Sequence, residues 1–244
     1  MRIALLVLFL MLAAPAFAAE SISNINPAAP SAATPAAPPA EAPPAPIVEP
    51  EAPPQEFTAE DRADIERIQL YLNELKSISA DFLQVDERGG IMRGTIAIQR
   101  PGKMRVTYTS PKGDFIVADG DFVHIWNADL QSQTNVPQNN SLANFILRDP
   151  IVLSGDVTVT SLKRFPAKLE MTLAQTGDSG TGKLTLIFED HPLLLRQWKV
   201  IDPQGRIVGV NLENEQSDVR FPDSTFTFVP PSFGHGVHTP QTVP

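Results

Sequence analysis

The 244-residue chain contains no cysteine. That excludes disulfides, thiolate metal sites, thiol nucleophiles and a lipid anchor built on an N-terminal cysteine. Catalytic motifs are missing as well: there is no G-x-S-x-G, no H-E-x-x-H, no phosphate-binding glycine loop and no EF-hand spacing. Basic residues are scarce, 19 Lys and Arg against 28 Asp and Glu, for a net charge of −9. A chain this acidic has no footprint for nucleic acid. Beyond the N-terminus no apolar run is long enough to cross a bilayer as a helix.

The polar residues that remain do not assemble an active site. His124 shares a strand parity with Phe122 and Trp126, and reads either as a packed core or rim histidine or as a ligand. His235 and His238 fall in a Gly/Pro-rich tail. Asp119 and Asp121 flank Gly120, the composition of a hairpin turn or of a carboxylate pair. Glu213, Glu215 and Asp218 form a solvated strand end or a docking patch for a basic partner. No catalytic residue, metal or cofactor is expected.

What is present begins with Arg2, an apolar run from Ile3 to Leu12 and the small-residue site Ala16-Phe17-Ala18. This is the layout of a secretory signal peptide over residues 1–18, with an uncleaved anchor as the other reading. Residues 19–56 hold eleven of the 24 prolines among alanines and a few glutamates. Without an apolar period such a stretch cannot offset its ordering entropy, and it is expected to be a disordered linker. It serves as a reach device or as an inert extension. The folded unit is expected over 57–234, followed by a flexible tail over 235–244.

Within that unit Thr58 and Asp61 can form a capping box. Ile65, Ile68, Leu72 and Leu75 then recur at the spacing of one helical stripe. Afterwards the period switches to two. Strands are expected at 80–85, 91–99, 103–109, 114–119, 122–127 and 130–136, then, past a short helix at 141–148 stopped by Asp149-Pro150, at 156–165, 168–176, 183–190, 193–202, 206–214 and 225–228. Connections this short imply an antiparallel meander. Phe115 and Val117 against Ile116, and Leu184, Leu186 and Phe188 against Ile187, make strands apolar on both faces. One wet face would alternate more cleanly. A mainly β fold follows, either a curved sheet wrapped around an apolar interior with helices across its mouth, or a β-sandwich.

One residue breaks the pattern. Ile96 and Ile98 point to one face, Arg100 continues that parity, and Met104, Val106 and Tyr108 resume it beyond Pro101-Gly102. Either the strand ends at Gln99 and the guanidinium faces water, or it sits at the rim of the apolar interior. In the second case it needs several acceptors, because an unpaired buried charge is very costly. Five donors in a rigid fork suit it to backbone carbonyls, and helix C-termini have carbonyls to spare.

These stretches resemble a known family, the periplasmic outer-membrane lipoprotein carrier proteins of the LolA type. The likeness runs from about Asp64 to Gly234 and includes SADFLQ, RPGKMRVTY with Arg100-Pro101, SPKGDFIVADG, HIWNADLQSQT and FTFVPPSFG. The resemblance implies an unclosed antiparallel β-barrel with a helical lid over an apolar cavity. It implies acylated lipoproteins as cargo, an inner-membrane ABC transporter complex as donor and an outer-membrane receptor as acceptor. It makes Arg100 the latch that bonds the lid, and puts Met104 where relatives often have Phe in the cavity. Where relatives often have an aromatic, His124 stands, with Trp126 beyond it. The candidate acyl-chain contacts are Ile96, Ile98, Met104, Val106, Tyr108, Phe115, Val117 and Trp126; Leu72, Phe145 and Ile146 are lid candidates. A monomeric periplasmic carrier without catalytic activity is expected. A lipoprotein-sensing module of the same half-barrel fold is the alternative, though it would be expected to carry a further domain; a receptor would need a cysteine where Ala19 stands. A soluble enzyme is the third reading.

Overall fold

The structure, a computed structural model, describes residues 56–140, 142–176 and 182–231. The expected signal peptide, the Pro/Ala-rich stretch before Glu56, the tail over 235–244 and the turn before Gly182 lie outside the described residues.

The first helix, α1 (Ala59–Glu74), starts as its sequence dictates. The Thr58 hydroxyl accepts from the Asp61 amide at 3.1 Å, and the Asp61 carboxylate accepts from the Thr58 amide at 2.8 Å. Two otherwise orphaned donors are thereby satisfied. Of the expected stripe, Ile68 and Leu72 are fully buried, and Ile65 and Leu75 are half-buried beside them.

Eleven strands follow: β1 (Ser77–Asp86), β2 (Ile91–Gln99), β3 (Lys103–Ser110), β4 (Lys112–Asp119), β5 (Phe122–Asn127) and β6 (Ser132–Pro137), then β7 (Val157–Phe165), β8 (Lys168–Gln175), β9 (Lys183–Glu189), β10 (Leu194–Ile201) and β11 (Ile207–Ser217). The second helix, α2 (Leu142–Leu147), lies between β6 and β7. All strands join one sheet in the order β6-β5-β4-β3-β2-β1-β11-β10-β9-β8-β7. Two antiparallel meanders are thus sewn together where β1 pairs with β11. β6 and β7 remain as unpaired edges, so the barrel is unclosed, and the α2 segment connects those edges. A sandwich is excluded because there is a single sheet.

The register decides what lies inside. Ile96 stands between Ala80 and Val106, Ile98 between Ile78 and Met104, and Ile116 between Val106 and Ile125. On the other half Trp198 stands between Leu186 and Val210, and Met171 beside Leu186. All of these residues belong to one buried cluster that also takes in Ile68, Leu72, Phe145 and Leu147. A single sheet whose two halves share one cluster must curve around it, with α1 and α2 as the cover. Gly94 marks a place where backbone and ring come close: a β-carbon there would lie 2.2 Å from the Thr107 carbonyl oxygen and 2.6 Å from the Phe82 ring.

Two expectations are corrected. Residues 225–228 do not form a strand; a 3-10 turn spans Asp223–Phe226 and Thr227 is extended. This segment runs over the outside of the sheet, where Arg105 Nη1 donates to the Thr225 carbonyl at 3.3 Å. The doubly apolar β4 also has a different cause from the one anticipated. Ile116 and Ala118 face the interior, whereas Phe115 and Val117 form a second buried cluster with Trp126, against which Ala128 and Phe228 pack. The outer face of β4 is apolar because the C-terminal segment covers it.

Candidate functional site

Under the two helices lies an apolar cavity. It is lined by Leu72 and Leu75 of α1 and its end, Phe145 and Ile146 of α2, Ile151, Ile78, Ile96, Ile98 and Arg100 on one side, and Leu186, Leu195, Trp198 and Leu212 on the other. Its volume is about 30 Å³. An engineered apolar cavity of about 150 Å³ holds one benzene. As it stands this cavity is too small to seat a hydrocarbon chain, so its lining must move to admit one.

Arg100 follows directly after β2, and its amide donates to the Lys76 carbonyl at 2.8 Å. Its guanidinium turns toward the helices. Nε donates to the Ile146 carbonyl at 2.7 Å, and Nη1 donates to the Leu75 carbonyl at 2.9 Å and to that of Leu72. These carbonyls belong to the C-terminal ends of α1 and α2, where no intrahelical donor remains for them. Both readings of Arg100 thus hold a part: the strand ends at Gln99, yet the side chain is at the rim and multiply bonded. Burial pulls the guanidinium down to about 10, with Asp149 and Tyr71 opposing that shift. It stays charged at neutral pH, and the negative ends of the helix dipoles favour it there.

Further polar bonds fasten the cover around this point. Lys76 pairs with Asp149 at 2.7 Å, and the Gly102 amide donates to the Leu147 carbonyl at 2.9 Å. Asn73 exchanges two bonds with the backbone of Ile151, each 2.8 Å. Along α1, Arg67 bonds Asp190 at 2.7 Å, and Arg164 of β7 bonds Asp61 and Asp64, each at 2.6 Å. The Tyr71 hydroxyl accepts from the Leu195 amide at 3.0 Å. The cover is held by hydrogen bonds at its rim and by Ile68, Leu72 and Phe145 pressed into the apolar interior.

Of the residues singled out from sequence, Ile96, Ile98, Arg100, Leu72, Phe145 and Ile146 come together at the cavity. Met104, Val106 and Tyr108 are on the same inner face but buried in the surrounding core. There the Tyr108 hydroxyl donates to Gln84 Oε1 at 3.2 Å, and burial raises its pKa well above the ordinary value. Phe115, Val117 and Trp126 do not reach the cavity. The register sets Phe115 opposite Thr107 and Val117 opposite Arg105, the outward residues of β3, so these three belong to the outer cluster. His124 is on that outer face too. Its Nε2 meets Asp119 and its Nδ1 meets Asn135, both at 2.9 Å, and its ring stacks on Phe228 at 4.9 Å. Sequence reasoning missed the far wall: Leu186, Leu195, Trp198 and Leu212. The inner parity of the second meander was the available signal. Among the described residues no group of three or more His, Cys, Asp or Glu is placed to hold a metal ion, and no helix is long and apolar enough to cross a membrane.

A family model described as outer membrane lipoprotein carrier protein LolA matches residues 73–229. An outer-membrane lipoprotein carrier protein of Legionella pneumophila is 26% identical over 174 residues, covering 68% of this chain and 85% of that one. An uncharacterised protein of Rickettsia prowazekii is 24% identical over 161 residues, covering 66% of this chain and 74% of its own. Among solved structures, a LolA superfamily protein of Nitrosomonas europaea superposes with a TM-score of 0.39 at 11% identity, over 67% of this chain and 97% of that one.

Proposed function

The chain belongs to the outer membrane lipoprotein carrier family LolA, and from that premise we propose that it is a periplasmic carrier. It accepts acylated lipoproteins released from the inner membrane by an ABC transporter complex. It shields their acyl chains beneath its helices and delivers them to a receptor in the outer membrane. Residues 1–18 act as its export signal and 19–56 as a linker to the carrier domain. No bond is made or broken in the cargo, so no catalytic group is required.

The observation that carries this reading is the Arg100 guanidinium, bonded to carbonyls of both helices at the edge of an apolar cavity. Moving a lipid anchor through water exposes about 0.8 kcal/mol per methylene. One acyl chain of roughly fifteen methylenes thus carries about 12 kcal/mol of unfavourable exposure. A carrier must offer matching apolar surface and must still let go. Closing the cover over the empty interior meets both demands, because the bonds of the closed state compete with cargo. The residues facing the cargo are those of the cavity wall, Ile96 and Ile98 from the first meander and Leu186, Trp198 and Leu212 from the second.

Mass spectrometry of material co-purifying with the full-length protein from periplasm, without detergent, tests the proposal. Triacylated polypeptides in near-stoichiometric amount are expected. Recovery of free phospholipid alone, or of no acylated species, would argue against a lipoprotein carrier.

A further inference from the structure

One side chain of the lining besides Arg100 carries a polar group that the apolar surroundings do not explain. Trp198 lines it from β10 and is 4% exposed. Its indole Nε1 is buried and has no hydrogen-bond partner. Buried donors are nearly always paired, and each exception calls for a reason. A water is a poor answer here, since buried waters typically make about three hydrogen bonds. Among the lining side chains the only other polar one is Arg100, whose Nε and Nη1 are already given to three carbonyls. The remaining lining side chains are Leu, Ile and Phe. The side chains of the wall therefore supply donors and no acceptor.

From this we infer that Trp198 Nε1 is the donor for an acyl carbonyl, so that the cavity recognises a fatty chain by its ester or amide oxygen as well as by its methylenes. The inference rests on the carrier reading above and names the chemistry of the bound group. A ligand with an apolar body and one acceptor at its end complements this wall. A plain alkyl chain leaves the indole donor unmet, and a ligand ending in a donor group meets a second donor. In the closed, empty state the donor is unsatisfied, so part of the binding free energy of an acylated ligand comes from relieving it. The carbonyl belongs either to the ester or amide of a lipidated polypeptide or to a free fatty acid.

The test compares two probes on the full-length protein: a fluorescent triacylated lipopeptide, and its trialkyl analogue of equal chain length with every acyl carbonyl replaced by methylene. The wild type is expected to bind the acyl probe roughly three- to tenfold more tightly, the worth of one hydrogen bond. Trp198→Phe is expected to lose that preference, so that it binds the acyl and the alkyl probe equally. In ¹⁵N-labelled wild type, with the two indole signals assigned through Trp126→Phe, the Trp198 indole N–H should move downfield with the acyl probe and not with the alkyl one. That readout stands if Trp198→Phe fails to fold. Equal binding of both probes by the wild type, or an indole signal unmoved by the lipopeptide and by palmitate alike, would overturn the carbonyl assignment and leave the carrier reading intact. Binding of neither probe would overturn both. A downfield shift with palmitate but none with the lipopeptide would overturn assignment to a lipidated polypeptide.

Discussion

Replacing Arg100 by leucine perturbs the junction between sheet and cover most directly. The side chain makes three hydrogen bonds to the carbonyls of Leu72, Leu75 and Ile146. A bond from a charged donor contributes roughly 1.5–3 kcal/mol. The three do not add, because one guanidinium bears one desolvation cost, the effect that lowers its pKa to about 10. Taking the worth of a single bond as the floor, the closed state loses at least about 1.5 kcal/mol. If only the open form binds cargo, apparent affinity is the intrinsic one multiplied by the open fraction. Arg100→Leu should then bind a triacylated lipopeptide about tenfold more tightly or better, and release it to acceptor liposomes correspondingly more slowly. Arg100→Lys keeps the charge but not the planar fork and should fall between. Equilibrium titration and stopped-flow transfer measure both quantities. Unchanged affinity and release, with only a lower melting temperature, would show that these bonds stabilise the fold and do not gate the cavity.

Acid should unfold the domain through specific carboxylates. Asp190 is held below its ordinary value by the hydrogen bond from Arg67, Asp61 by that from the Thr58 backbone, and Asp156 by that from Arg148. Lowered folded values mean that their stabilisation is complete above the unfolded pKa of about 3.9 and is lost as pH falls through the folded values. Glu215, raised by burial, has the opposite sign. Urea midpoints should therefore fall steeply below about pH 4, and Asp190→Asn should flatten that limb; a limb unchanged by the substitution would assign it to other groups. Phe228→Ala uncovers the outer cluster of Phe115, Val117 and Trp126 and should cost about 1–2 kcal/mol, less than a fully buried Phe. Lipopeptide affinity should stay the same, because that cluster is on the far side of the sheet from the cavity; a loss of binding would contradict this. Gly94→Ala forces a β-carbon against the Thr107 carbonyl and the Phe82 ring, and a loss of about 1–3 kcal/mol is expected by thermal melting.

Much of the fold was legible because local signals agreed with one another. The capping box at Thr58, the stripe through Ile68 and Leu72, and the alternation through Ile96 and Ile98 each have a single physical interpretation. Strand parity was readable only where one face was polar. In β3 the alternation of Met104, Val106 and Tyr108 with Arg105 and Thr107 settles the matter. In β4 and β5 it does not, and Phe115, Val117 and Trp126 were set on the inner wall although they pack outside. What covers them is Phe228, about a hundred residues away, and no local pattern announces such a contact. Alternating Phe226 and Phe228 imitate a strand, but in the structure they go to separate sites: Phe226 is buried at the end of its turn beside Phe221, at a ring distance of 5.4 Å. The far wall of the cavity escaped notice for the related reason that a lining residue and a core residue have the same sequence signature. Arg100 was the exception, since a charge in phase with an apolar row can be accommodated in few ways.

The central claim is that an acyl chain can enter only when the helices lift from the sheet, because the closed cavity of about 30 Å³ is far too small for one. The absence of native cysteine allows two to be introduced cleanly, at Leu70 on α1 and Ile207 at the start of β11, both exposed. Electron–electron distance measurement between spin labels at those sites, with and without saturating triacylated lipopeptide, tests the claim directly. A new, longer distance that grows in proportion to bound lipopeptide is the expected result. Stoichiometric binding with an unchanged distance distribution would contradict it.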